Sequence, residues 1–111
     1  MIIAYAILSV CILAGPGTAH PPSEIVITVN MGVLMIDAPH AVSDGKTHYI
    51  KEFLVTVDGN PIYRLMPYFQ GDNSRASAAL PLFSLVKKGS VVEVEAECSK
   101  FGKLKKSLVM E

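Results

Sequence analysis

Val91–Cys98 reads VVEVEAEC, and this alternation constrains the chain more than any other stretch. Successive side chains of a strand point to opposite faces. Val92, Val94, Ala96 and Cys98 therefore share one face, and Glu93, Glu95 and Glu97 the other. A strand with one apolar row must bury that row against a second layer, and six further segments can supply it. Glu24 to Asn30 alternates, and Gly32 offers a turn into Val33 to Ile36. His48 to Asp58 is the longest candidate, rich in aromatic and β-branched residues. Asp58-Gly59-Asn60 reads as a hairpin turn, because Gly and Asn accept positive φ at little cost. Pro61 to Phe69 returns alongside, with Pro67 at an edge or an end. After the polar loop Gln70 to Ser74, Ala76 to Val86 is a strand interrupted by Pro81. Lys87-Lys88-Gly89 turns the chain into Val91, and Lys103 to Met110 closes the fold. The expectation is an all-β chain: an immunoglobulin-like antiparallel β-sandwich of about seven strands.

The first fifteen residues, Met1 to Gly15, carry no charged side chain. This run is shorter than the roughly 18 to 20 residues that cross a bilayer as a helix. Gly17 and Ala19 follow with the small-residue spacing a signal peptidase reads. Residues 1–19 are thus expected to be a signal peptide cleaved after Ala19, and residues 20–111 a single sandwich domain. The protein is then secreted or periplasmic, with no integral membrane segment after cleavage. An uncleaved N-terminal anchor is the alternative.

Ten basic side chains balance ten acidic ones, which gives no support to nucleic-acid binding or to docking on anionic lipid. The sequence has no glycine-rich phosphate loop, nucleophile elbow or paired-carboxylate pocket signal. Glu93, Glu95 and Glu97 face a strand carrying Lys103, Lys105 and Lys106. These charges read as cross-strand pairs on a wet face, each contributing about 0.2–1 kcal/mol, rather than as acid–base chemistry.

Cleavage removes Cys11 and leaves Cys98 alone. An odd thiol in an exported protein is an inert buried residue, an intermolecular bridge or a metal ligand; a homo-oligomer is compatible with the second. The three histidines bear on the choice. His20 opens the mature chain, His40 follows Ala38-Pro39 at the end of the second strand, and His48 opens the third. The loop Ala41 to Thr47 brings His40 and His48 towards each other at one end of the sandwich. Cys98 ends its strand just before Ser99-Lys100-Phe101-Gly102, so all four can share a rim. Neutral imidazole with thiolate suits iron, copper or zinc; surface histidines without a role are the alternative. Asp37 could orient the imidazole of His40, or be a solvated carboxylate at a strand end.

Pro39-His40, His48-Tyr49-Ile50 and Cys98-Ser99-Lys100-Phe101-Gly102 resemble the ferrous-iron-binding domain of desulfoferrodoxin and neelaredoxin, the superoxide reductases. The resemblance implies an immunoglobulin-like sandwich and a mononuclear iron, held in that family by four equatorial histidines and an axial cysteine. On this chain it implies His20, His40, His48 and Cys98 as ligands. It implies one-electron reduction of superoxide to peroxide, with an external electron donor, since no second cysteine set for an electron centre is present. Phe101 stands where the family has its last histidine, and Ala19 where it tends to carry a lysine. The ligand set is four at most, and Phe101 can only cap the site or fill core.

Two other readings stay open. A free N-terminal His20 offers its α-amino and imidazole nitrogens together, as in a copper-binding module. The segment His48-Tyr49-Ile50-Lys51-Glu52-Phe53, with Val86-Lys87-Lys88-Gly89, also resembles the Z subunit of the Sox thiosulfate-oxidation carrier complex. That likeness implies a metal-free sandwich that grips a partner.

Overall fold

The computed structural model describes residues 20–111; the signal peptide expected over 1–19, with its cut after Ala19, lies outside the described residues. The chain forms seven strands, β1 Val26–Asn30, β2 Val33–Pro39, β3 Ile50–Val57, β4 Asn60–Leu65, β5 Arg75–Pro81, β6 Val91–Cys98 and β7 Lys103–Val109. They make two antiparallel sheets, β1-β2-β5 and β4-β3-β6-β7. This is the expected β-sandwich. In a constant-type immunoglobulin domain the fourth strand joins the sheet of the first, second and fifth. Here the tight turn at Asp58 and Gly59, both at positive φ, folds β4 back along β3, its one partner among the described strands.

Inward rows from both sheets build the core. Leu34, Ile36 and Ala38 of β2 face Phe53, Val55 and Val57 of β3 and Val92, Val94 and Ala96 of β6, with Ile25, Ile27, Ile50, Leu80 and Leu82 closing it. Each of these burials removes apolar area from water at about 25 cal/mol per Å².

Four sequence expectations are corrected. The strand expected over Ala76 to Val86 stops at Pro81, which has no amide hydrogen to extend the ladder. The amides of Leu82 and Phe83 both donate to the Gly32 carbonyl, folding Phe83–Leu85 into a short 3-10 turn. The strand expected over Pro61 to Phe69 ends at Leu65, before Pro67, and Met66, Tyr68 and Phe69 are exposed. The second strand runs on to Pro39, so Asp37 lies within it rather than at its end. The third begins at Ile50, because the amides of Thr47 and His48 turn back to the Asp44 carbonyl.

The glutamate row of β6 stands opposite Lys103 and Lys105 in register, but Glu97 makes its ion pair with Lys51, at 3.7 Å, and Glu93 accepts from the Ser107 hydroxyl. Among the described residues no helix is long and apolar enough to cross a membrane.

A register shift between β3 and β6 sets which way the residues before Phe53 point. Ile50 pairs with Cys98 and Glu52 with Glu97, so Lys51 is an extra residue on β3. Phe53 and Ile50 are both buried although three apart, with Lys51 exposed between them. The bulge inverts the alternation of β3 at its start.

Candidate metal centre

Three imidazoles meet at one end of the sandwich, each delivered by a different piece of chain. His40 arrives by simple parity. Leu34, Ile36, Ala38, His40 and Val42 are all buried in one alternating series, and the amides of His40 and Val42 continue pairing with the Ser74 and Asn73 carbonyls beyond the end of β2. His48 arrives through the bulge. Counting back by twos from Phe53 would put Lys51 and Tyr49 inside and His48 outside. The extra residue turns Ile50 and His48 inwards instead, and His48 is 2% exposed. His20 is carried by the segment before β1. That segment is tied down where the Ser23 amide donates to the Pro39 carbonyl, and Pro21 lies against the turn between β6 and β7. A Cβ placed on Gly102 of that turn would come within 2.8 Å of Pro21 Cδ, and Gly102 has φ +92°, so the turn needs glycine twice over.

The ring centroids of the trio lie 4.7, 5.0 and 4.9 Å apart. One nitrogen from each ring can be chosen so that all three lie within 4.8 Å of one another. Two nitrogens bonded to one ion at about 2.1 Å stand roughly 3.0–3.4 Å apart at cis or tetrahedral angles. The rings therefore need to draw in by only about 1 Å to hold a metal ion, and their donor chemistry fits one.

The other expected residues fall less simply. Cys98 ends the inward row of β6 and is 2% exposed. Its Sγ accepts from the Lys100 amide at 3.4 Å and it does not belong to the mutually close trio. Asp37 does not orient His40. Strand parity puts it on the opposite face of β2, where its carboxylate pairs with Arg75 at 2.6 Å, beside Ser77 and Met35 in a shallow hollow. Phe101 is 68% exposed, so it fills no core.

Sequence reasoning missed Gln70. It sits in the polar loop after Phe69 with no period to mark it, yet it is buried and holds His40. Its Oε1 lies 2.9 Å from His40 Nδ1, and its Nε2 donates to the carbonyls of His40 and Asp72, both at 2.8 Å. The Asp72 carboxylate accepts from the hydroxyl and amide of Ser74, which hold it below the usual carboxylate range and brace the loop. His40 and His20 also contact backbone carbonyls. His40 Nε2 lies 3.1 Å from the His20 carbonyl oxygen, and His20 Nδ1 and Nε2 lie 2.9 and 3.0 Å from those of Pro21 and Ala41.

Gly45 packs its α-carbon against the backbone of Gln70; a Cβ there would sit 1.9 Å from the Gln70 carbonyl oxygen. Gly45→Ala is expected to push the Gln70 loop away from His40 and to cost about 1–3 kcal/mol by overpacking. Urea unfolding of the metal-free variant measures the cost. No loss of stability would show that the loop yields freely.

No family model matches the chain, and no curated protein is similar enough to count as a relative.

Proposed function

We propose that the protein binds one mononuclear transition-metal ion, iron(II) in first place, and is an exported protein of the superoxide-reductase type. The observation that carries this reading is the closure of His20, His40 and His48 to within 4.8 Å of one another. Imidazole is a donor of borderline softness and suits first-row ions such as iron, copper and zinc. The resemblance of Pro39-His40, His48-Tyr49-Ile50 and Cys98 to the superoxide reductases favours iron among them.

Bound iron(II) would supply one electron to superoxide, which with two protons gives hydrogen peroxide, and an external donor would return the electron. The chain's own residues hold and orient. His40 and His48 are sunk at the ends of inward rows of opposite sheets, and His20 closes over them from the N-terminal segment. Cys98 is the thiolate of this reading, on the strength of the resemblance and its inward position. Phe101 offers no nitrogen, and no lysine precedes His20 to draw in the anion, so the expected turnover is low beside a five-ligand centre.

Untagged protein purified anaerobically, analysed for intact mass and metal content, tests the reading. Near-stoichiometric iron, lost in His48→Ala and accompanied by superoxide consumption, is the expected result. Iron without superoxide consumption would keep the metal and remove the reaction. Copper on a chain whose mass begins at His20 would move the assignment to an N-terminal copper site. A protein that takes up no ion after reconstitution would overturn the metal altogether and leave the partner-gripping sandwich.

A further inference from the structure

The amide of Gln70 has a fixed orientation. Carbonyl oxygens only accept, so the end that contacts the His40 and Asp72 carbonyls must be the NH2 group. Turning the amide over would set its oxygen against both carbonyls. Oε1 therefore faces His40 Nδ1 at 2.9 Å, the shorter of the two contacts of that ring, and offers an acceptor for a proton there. A neutral imidazole carries one ring proton, so a proton on Nδ1 leaves Nε2 its lone pair. In that tautomer Nε2 lies bare, 3.1 Å from the His20 carbonyl oxygen. The loop that holds Gln70 is seated independently of any ion, by its amide hydrogen bond to the Gly45 carbonyl at 2.9 Å and by the close approach of Gly45.

We propose that Gln70 is a positioning residue of the metal centre: it locks His40 as the Nδ1–H tautomer, so that Nε2 is the atom presented to the metal. The inference rests on the metal-binding reading for its purpose, but the tautomer it assigns belongs to the metal-free protein. Partners of this kind, which hold the far nitrogen of a ligating histidine, typically alter metal affinity by about 10- to 100-fold when removed.

Nitrogen-15 spectra of the histidine side chains in metal-free protein at mildly alkaline pH read the tautomer, and zinc titration against a competing chelator reads affinity. The expected wild-type pattern for His40 is a protonated Nδ1 and a bare Nε2. Gln70→Met keeps length and volume but no amide. It is expected to release the tautomer and weaken zinc binding about 10- to 100-fold. Gln70→Glu retains an acceptor for Nδ1–H while losing both donations to carbonyls, and is expected to keep the tautomer and bind more tightly than Gln70→Met. A role confined to bracing the loop predicts the opposite order, since the second carboxylate oxygen repels the His40 and Asp72 carbonyls. An Nε2–H tautomer in the wild type, near-wild-type binding by Gln70→Met, or weaker binding by Gln70→Glu than by Gln70→Met would each overturn the assignment to Gln70 alone. Failure of the wild type to bind zinc, iron or copper would overturn the metal reading, and with it the role.

Discussion

Deleting Lys51 is expected to weaken metal binding sharply while the sandwich still folds. Lys51 is the extra residue of the β3 bulge, and its removal restores unbroken alternation upstream of Phe53. Ile50 and His48 then exchange faces with Tyr49, because a one-residue slip reverses every side chain beyond it. One of three imidazoles leaves the site, and chelator competition is expected to show zinc or iron(II) affinity reduced by about two orders of magnitude or more. Turning Ile50 out costs about 1.5–3 kcal/mol of burial, so the melting temperature falls but the cooperative transition remains. Binding within a few-fold of wild type would show that His48 reaches the site without the bulge.

The largest expected loss of stability comes from Phe53→Ala. Phe53 is buried on β3 opposite Ala96 of β6, and that small partner leaves the ring room to fill the space between the sheets. Truncating a buried Phe to Ala costs about 3–5 kcal/mol, a large share of the roughly 5–15 kcal/mol that holds a small domain together. Equilibrium urea unfolding should show the midpoint displaced at unchanged slope. A loss under about 1 kcal/mol would mean that the ring is replaced by inward collapse of its neighbours.

Strand parity made most of the fold and part of the site legible. The series through Leu34, Ile36 and Ala38 reaches His40 across Pro39 without interruption, and Val92, Val94 and Ala96 lead in the same way to Cys98. Meeting at one end follows from the short loop between His40 and His48. His48 was placed in the site by that loop, but its inward orientation depends on the bulge. A bulge leaves little trace in a sequence whose exposed residue at that point, Lys51, looks like an ordinary outward position. The same parity, applied to Asp37, already sets it on the face away from His40. Gln70 was illegible because loop residues obey no period and its three side-chain hydrogen bonds are all long-range or irregular. The apolar letters of Met66, Tyr68 and Phe69 read as strand, yet hydrophobicity alone does not bury a residue beyond the last paired position, and Pro67 had marked where that position fell.

The origin of the three imidazoles on separate pieces of chain has a thermodynamic consequence. His40 extends the three-stranded sheet, His48 precedes the four-stranded one, and His20 belongs to neither. An ion bound by all three ties both layers and the N-terminal segment at a single point. Cys98 is free, so no disulfide does so among the described residues. By linkage, an ion that binds only the folded chain raises its stability by about 2.7 kcal/mol when present at about 100 times its dissociation constant. The resistance of the domain to unfolding would then rise and fall with the metal supply of its compartment.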